Sequence, residues 1–335
     1  MKRPTLEDVA AVAGVSPKTV SNVLRGRPYA AKATQERVWA AAAAVGYRVN
    51  RAGRALAGGG SGRIAVVVPN LHQPYYAETA ERLILALAAE NLTSALRIAP
   101  DADAERDAAL GSTTADADGV ILCPRRLNAE LLEGKVPDRP VVQFGGRPSG
   151  LLDTVVMGEF EGFNAVTRHL LDTGRRRLAL VWHSTRSGRP EGARFEGFLA
   201  ALDESGAAPD PSLMVAGSDW DRRASGYEAM VGLLASGAEF DAVMGVNDAV
   251  AVGALRALRA RGVLVPDDVA LTGFDDTDEA EFTVPPLTTV SPEHDAMVGA
   301  AVRMLIERLG GEIGAPRVHR TGAHLIPRAS SGVPR

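Results

Sequence analysis

Leu6, Val9, Ala10 and Ala13 fall at i, i+3, i+4 and i+7, an apolar stripe that predicts a short helix near the start of the chain. Thr5 precedes it as a cap, Asp8 stands three residues on to reach back in a capping box, and Gly14 ends it. Ser16 caps a second helix with Pro17 at its first position, where no amide hydrogen is needed. Val20, Val23 and Leu24 make its inward face, while Pro17, Lys18, Ser21 and Asn22 share the opposite, polar face. A third helix is predicted from about Lys32 to Val45, with Val38, Ala41, Ala42 and Val45 inward and Gly46 as its stop. Asn50 caps a short segment reaching Ala57, and Gly58-Gly59-Gly60-Ser61-Gly62 then reads as a flexible linker. A phosphate-cradling glycine loop would sit between a strand and a helix; this run precedes the first strand.

From Arg63 the pattern changes to alternating strands and helices. Ile64–Val68, Val120–Cys123, Val141–Phe144, Leu178–Trp182, Ala242–Gly245 and Val269–Thr272 are apolar runs of the kind buried on both faces of a parallel sheet. Between them lie helical patterns over Tyr75–Glu90, Gly162–Thr173, Ala193–Glu204, Tyr227–Ala235 and Asp248–Arg261. Repeated βαβ units imply doubly wound parallel sheets, and about 270 residues is generous for one of them, which predicts two lobes. In such folds ligands sit at the carboxyl ends of the strands.

Charge sharpens this division. Residues 1–60 carry ten Lys or Arg against three acids, leaving 27 basic and 38 acidic residues for the remainder. A small basic block on an acidic body points to a polyanion as partner of the block alone. No run of 18 apolar residues is present, the N-terminus lacks the apolar core of a secretory signal, and Cys123 is the one cysteine, read as a buried strand residue. Cytoplasmic residence, no membrane partner and no disulfide framework are expected. The six histidines are scattered, and no nucleophile elbow, metal-spaced cluster or dinucleotide fingerprint occurs. Asp275-Asp276-Thr277-Asp278-Glu279 lacks the glycine and spacing of a calcium loop. No enzyme activity, metal or cofactor is therefore expected.

Two short helices joined through Gly14-Val15, the second presenting short polar side chains, make a helix-turn-helix. A narrow helix of this kind fits the major groove, with polar side chains for base edges and surrounding cations and hydroxyls for phosphates. Asn22 suits bidentate pairing with adenine and Lys18 suits donation to guanine.

The order of motifs resembles the LacI/GalR family of bacterial regulators. It is carried by Thr5-Leu6-Glu7-Asp8-Val9-Ala10, Ala13-Gly14-Val15-Ser16, Thr19-Val20-Ser21, Gly46-Tyr47, Asn50-Arg51 and Leu56-Ala57. It continues through Pro74-Tyr75-Tyr76-Ala77-Glu78, Gly174-Arg175-Arg176, Arg194-Phe195-Glu196-Gly197-Phe198, Asn247-Asp248-Ala249, Gly273-Phe274-Asp275-Asp276 and Pro285-Pro286-Leu287-Thr288-Thr289-Val290. The resemblance implies a helix-turn-helix domain over 1–49, a hinge helix and linker over 50–62, and an α/β effector and dimerisation domain over 63–335. Its first lobe would take about 63–158 and 291–320, its second about 159–290 and 321–335. It further implies a homodimer on double-stranded operator DNA, in the family's commoner mode a repressor, governed by a small carbohydrate-like effector. The alternative is a cytoplasmic solute sensor of the same two-lobed fold that binds no DNA.

Site residues follow from the same resemblance. DNA contacts are expected from Thr5, Ser16, Pro17, Lys18, Thr19, Ser21, Asn22, Asn50, Arg51, Arg54, Leu56 and Ala57, the paired Leu56 side chains wedging between base steps of the minor groove. Effector contacts are expected from one of Tyr75 and Tyr76, and from Arg189, Arg194, Trp220, Asn247 and Asp275. An amide and a carboxylate together grip neighbouring hydroxyls as donor and acceptor, whereas the plainer roles are a helix cap for Asn247 and a solvated loop acid for Asp275. Several positions depart from the family's habit. Gly53 replaces alanine in the hinge, at a cost of about 1 kcal/mol in helix stability. Asn22 replaces an arginine, which changes the contacted operator base, and Ala31 replaces the cap of the third helix. Gly145 stands where relatives carry aspartate and Gly192 where they carry arginine, so a larger or less polar effector than a simple hexose is expected.

Overall fold

The computed structural model describes residues 4–24, 30–45, 60–183, 190–219 and 222–332. The chain divides into two units, Met1–Ser61 and Gly62–Arg335.

In the first unit, α1 (Leu6–Ala13), α2 (Pro17–Leu24) and α3 (Lys32–Ala44) fold around Val9, Ala10, Ala13, Val20, Val23, Val38, Ala41 and Ala42. Thr5 caps α1 with both halves of the capping box made: the Asp8 amide donates to Thr5 Oγ1 (3.3 Å) and the Thr5 amide to Asp8 Oδ2 (2.7 Å). Gly14 closes α1 in the left-handed region (φ 66°), where a Cβ is unfavourable, and this sets the turn into α2. Ser16 Oγ accepts the Thr19 amide (3.1 Å), capping α2.

Half of that core is alanine, each burying little more than one methyl at about 0.8 kcal/mol, so caps weigh heavily in this unit. Ala31, at the start of α3, is extended (φ −58°, ψ 148°) and makes no side-chain cap bond. Ala31→Ser is expected to stabilise the helical unit by about 1 kcal/mol. Amide exchange should report it as increased protection over residues 32–36; unchanged protection would show that the cap position is already satisfied.

The second unit contains β1 (Arg63–Val68), α4 (Pro74–Ala89), β2 (Thr93–Ile98), α5 (Ala102–Leu110), β3 (Gly119–Leu122), β4 (Val141–Phe144) and β5 (Asp153–Val156). After α6 (Glu159–Asp172) come β6 (Leu178–His183), α7 (Ala193–Glu204), β7 (Met214–Gly217), α8 (Arg223–Ala235), β8 (Ala242–Gly245), α9 (Asp248–Ala260) and β9 (Ala270–Thr272). The remainder is α10 (Asp278–Phe282), β10 (Thr289–Ser291), α11 (His294–Leu309), β11 (Val318–Arg320) and β12 (His324–Ile326).

Two parallel sheets result, ordered β11-β5-β4-β3-β1-β2 and β7-β6-β8-β9, with β10 and β12 as an antiparallel pair. Strands β1, β3, β4, β6 and β8 are buried almost throughout, as helices on both faces require. The first lobe packs α4 and α11 on one face of its sheet and α5 on the other. The second lobe gathers α6–α9 around β6, β8 and β9. The chain passes between lobes at three places, from β5 to α6, from β10 to α11 and from β11 to β12.

Several elements depart from the sequence pattern. Helix α6 begins at Glu159, three residues before Gly162, because that glycine lies inside the helix at a tight crossing: a Cβ there would stand 2.7 Å from both Phe274 and Val290. Helix α8 begins at Arg223, four residues before Tyr227. Strands β2, β5 and β7 lie outside the apolar runs of the sequence pattern; β2 is an edge strand with mixed polarity, and β5 opens on the buried acid Asp153. Among the described residues no helix is long and apolar enough to cross a membrane.

Candidate functional site

Two regions collect the residues singled out in the sequence. On α2, Pro17 and Lys18 are exposed, and Ser21 and Asn22 are partly exposed on the same polar side, while Val20 and Val23 are buried. Thr19 and Ser16 share a hydroxyl–hydroxyl bond (2.9 Å) that fixes the first turn. Thr5 Oγ1 is engaged with Asp8 at the start of α1. These hydroxyls therefore have structural work of their own. Asn50, Arg51, Arg54, Leu56 and Ala57 lie outside the described residues, as do Arg189 and Trp220.

The second region lies at the carboxyl ends of the strands, where the two lobes face each other. After β1, Asn70 Oδ1 accepts the Gln73 amide (3.1 Å) and Gln73 Oε1 accepts the Tyr75 amide (2.6 Å), which sets the first turn of α4. Tyr75 and Tyr76 are both buried and meet edge to face at 5.3 Å. Of the two, Tyr75 is the one that adjoins the loop after β4: a Cβ on Gly145 would stand 3.9 Å from its hydroxyl. That hydroxyl is buried and has no hydrogen-bond partner among the described residues. Burial, more than the nearby Cys123 and Asp275, pushes its pKa well above the usual tyrosine range, so it stays a neutral O–H.

Arg194, in the first turn of α7, is the centre of this region. Its Nε donates to Glu159 Oε1 (2.9 Å) and its Nη1 to the Val246 carbonyl (2.6 Å), while Nη2 lies 3.7 Å from Asp275 Oδ1. The guanidinium lies over Phe274 at 4.1 Å from the ring centroid. Burial opposes the arginine charge, but Glu159 and Asp275 outweigh it and the pKa rises. The carboxylates thus hold a permanent cation inside the protein.

Asp275 and Asp276 form a strained turn after β9, with φ 111° and 48° on two non-glycine residues. The Asp275 amide donates to Val290 O (2.9 Å), His294 Nε2 meets the Asp275 carbonyl (2.7 Å), and Gln73 Nε2 reaches Asp275 Oδ2 from the other lobe (3.4 Å). Asp275 is buried, so it is not a solvated loop acid. Asn247 is buried at the start of α9, where its Oδ1 accepts the Val250 amide (2.9 Å). The cap role therefore holds for its carbonyl oxygen.

Sequence reasoning did not select Gln73, Glu159, Asp248 or His294 for this site. Asp248 lies beneath it, accepting the Thr277 amide (2.9 Å) and Thr289 Oγ1 (2.6 Å), with burial and then Asp275 pushing its pKa well up. Asp248 and Phe274 stand inside motifs already quoted; Glu159 and His294 carried no local signal. Gly145 (φ 77°) and Gly192 (φ 95°) occupy backbone conformations that an aspartate or arginine in their place would strain. Burial holds the Cys123 thiol at about 12, so it is chemically inert. Among the described residues no group of His, Cys, Asp and Glu could hold a metal.

Residues 5–50 match the model of bacterial regulatory proteins of the lacI family, and residues 167–331 that of the periplasmic binding protein-like domain. The HTH-type transcriptional regulator CelR of Thermobifida fusca is 34% identical over 347 aligned positions, covering 98% of each chain. The structure of a transcriptional regulator of LacI family from Sanguibacter keddieii is 36% identical (TM-score 0.74), covering 81% of this chain and 99% of its own. A transcriptional regulator CelR–cellobiose complex is 30% identical (TM-score 0.70), covering 98% of this chain and all of its own.

Proposed function

The chain belongs to the LacI family of bacterial regulatory proteins and is a DNA-binding transcription regulator, and from that premise we propose that it is a homodimeric, cytoplasmic repressor released or tightened by a neutral carbohydrate held between its lobes. The observation that carries the effector reading is the buried Tyr75 hydroxyl, without a hydrogen-bond partner among the described residues, beside the Arg194–Asp275 pair. A hydroxyl-rich ligand supplies both the acceptor that Tyr75 lacks and donors for Asp275.

Charge narrows the ligand further. Arg194 is already offset by Glu159 and Asp275, so this buried cation is not left over to bind a sugar acid or phosphate ester. Gly145 leaves room beside Tyr75, which favours an oligosaccharide or glycoside over a single hexose. CelR, the relative solved with cellobiose, points the same way. Asn247, Arg189 and Trp220 complete the proposed contacts, Trp220 as a stacking wall for a sugar's C–H face.

A thermal-shift screen of the full chain against neutral oligosaccharides, sugar acids, sugar phosphates and nucleosides tests this. At a hundredfold excess over Kd, linkage adds about 2.7 kcal/mol to stability, several degrees in Tm. Neutral carbohydrates should give that shift; a response confined to nucleosides or anions would overturn the assignment.

On DNA, each α2 enters a major groove with Lys18, Ser21 and Asn22 toward base edges, and Thr5, Ser16, Pro17 and Thr19 toward the backbone. Asn50, Arg51, Arg54 and Ala57 would contact DNA from the hinge, and paired Leu56 side chains would open the minor groove. Leu56→Ala is expected to lose on the order of 2 kcal/mol, ~30-fold, on the cognate duplex and little on random duplex. Equal losses on both would remove the wedge role.

A second copy would cover the first lobe at β2, an unpaired sheet edge that exposes Leu96 and Ile98 on one face, with exposed Leu85 on the neighbouring α4. Sedimentation should show a dimer for the unmodified chain and a monomer for Ile98→Lys. A stable tetramer, or a dimer unaffected by the lysine, would contradict this arrangement.

A further inference from the structure

Among the described residues, an ion pair joins the lobes across the strand ends, beside the loop that carries Trp220. Arg125, three residues beyond β3, approaches Asp219, two residues beyond β7, with Nη2 to Oδ1 at 3.4 Å and both side chains partly buried. Each end is set by a buried polar side chain of its own lobe. On the first lobe, Glu105 of α5 is buried, and its two carboxylate oxygens accept the backbone amides of Arg125 (2.8 Å) and Arg126 (3.0 Å). On the second, Ser225 of α8 is buried and its Oγ accepts the Asp219 amide (2.7 Å). Gly217 permits this approach, since a Cβ there would fall 2.3 Å from Ser225 Oγ. Arg222 lies on the far side of the same carboxylate, Nε to Oδ2 at 3.5 Å.

We propose that Arg125 and Asp219 form a ligand-independent closing latch across the cleft, with Glu105 and Ser225 as its positioning residues. Both loops are held by buried hydrogen bonds before the lobes meet, so little conformational freedom is lost when the pair forms. A partly exposed ion pair biases an equilibrium by up to about fivefold, which is decisive only where the competing states are close in free energy, as lobe-open and lobe-closed forms are. The latch therefore sets the closed fraction of the effector-free protein, and with it the effector concentration to which the regulator responds. This rests on the two-lobe effector reading above.

Spin labels at Glu130→Cys and Glu228→Cys, one on each lobe, report closure by pulsed dipolar spectroscopy on the full chain, diluted with unlabelled chain so that only distances within a protomer are read. Cys123 is buried and stays unlabelled. Arg125→Ala should enlarge the long-distance population by up to about fivefold, and Arg125→Asp should enlarge it more. Arg125→Asp combined with Asp219→Arg should restore the original distribution. Glu105→Gln should also enlarge the long-distance population with both latch residues intact, an effect that mere loss of a surface charge pair does not produce.

Raising salt on the labelled but otherwise unmodified chain should do the same, and this arm decides the matter should a charge variant fail to fold. Distances unmoved by Arg125→Ala and by salt, or unrestored by the charge exchange, would overturn the latch. Operator binding by the effector-free chain is read separately, so failure of the latch is distinguishable from failure of the regulator reading.

Discussion

Arg194→Met is expected to abolish the response to effector while the chain still binds its operator. The methionine keeps much of the apolar contact with Phe274 but removes every donor to Glu159, Val246 O and Asp275. Buried Asp275 and partly exposed Glu159 would then both lack their cation, a loss on the order of 3 kcal/mol in the stability of the effector unit, carried mainly by Asp275. Glu159→Gln alongside Arg194→Met should return part of that stability, because one of the stranded charges is gone. It should not return effector binding, for which the loss is expected to exceed about 100-fold. Calorimetry of both variants separates the two effects. Retained effector affinity in Arg194→Met would remove Arg194 from the site and leave it a purely structural cation.

Asp153→Asn is expected to destabilise the first lobe by about 3 kcal/mol without touching either binding site. Asp153 opens β5, buried at the sheet, and its carboxylate receives Arg308 from the end of α11 (2.8 Å) and Arg317 from the turn into β11 (2.9 Å). The Arg317 amide donates to it as well (2.8 Å). These bonds tie residues 308–317 to the sheet and bring β11 into parallel register with β5. Although burial works against ionisation, the two arginines hold the carboxyl down at about 2, from an ordinary 3.8.

A depressed carboxylate contributes stability above its unfolded pKa and loses it as pH falls through the folded one. The unmodified chain should therefore lose this contribution progressively between about pH 4 and pH 2. Asp153→Asn, which has nothing to protonate, should lack that part of the acid limb in denaturant titrations. An identical limb in both proteins would assign the acid sensitivity elsewhere.

Legibility in the sequence varied with the range of the interaction involved. The capping box at Thr5 and Asp8, the left-handed Gly14 and the Ser16 cap depend on residues three or four apart, and all are found where the pattern puts them. The buried runs at β1, β4 and β8 were equally plain, because a strand covered on both faces must be apolar throughout. Edge strand β2 and the acid-led β5 follow no such rule, since their partners lie far along the chain.

The proposed effector cleft shows the same division. Tyr75, Arg194, Asn247 and Asp275 stand in recognisable motifs, and the fold brings Tyr75, Arg194 and Asp275 to one place. Glu159 is 35 positions from the arginine it neutralises, and His294 steadies the strained Asp275 turn from a different helix. Neither has a local pattern to betray it. Ala31 shows the converse: a missing cap is evident from one residue, yet its consequence depends on how little else the helical unit buries.

These features assemble into one account of control. In the proposed mechanism, effector binding to residues on both lobes would change their relative angle, and the change would reach paired recognition helices that must span two half-sites at once. Reciprocity then requires operator DNA to alter effector affinity by the same factor.

The most direct test is equilibrium binding of the full chain to duplexes selected from a random pool, across a range of salt concentrations, with and without a carbohydrate that raises its Tm. The account predicts a preferred site with two-fold symmetric halves, steep weakening with salt as counterions are released, and an affinity changed by roughly 5- to 150-fold by the carbohydrate. No preference for any double-stranded sequence, in the presence or absence of such ligands, would contradict it.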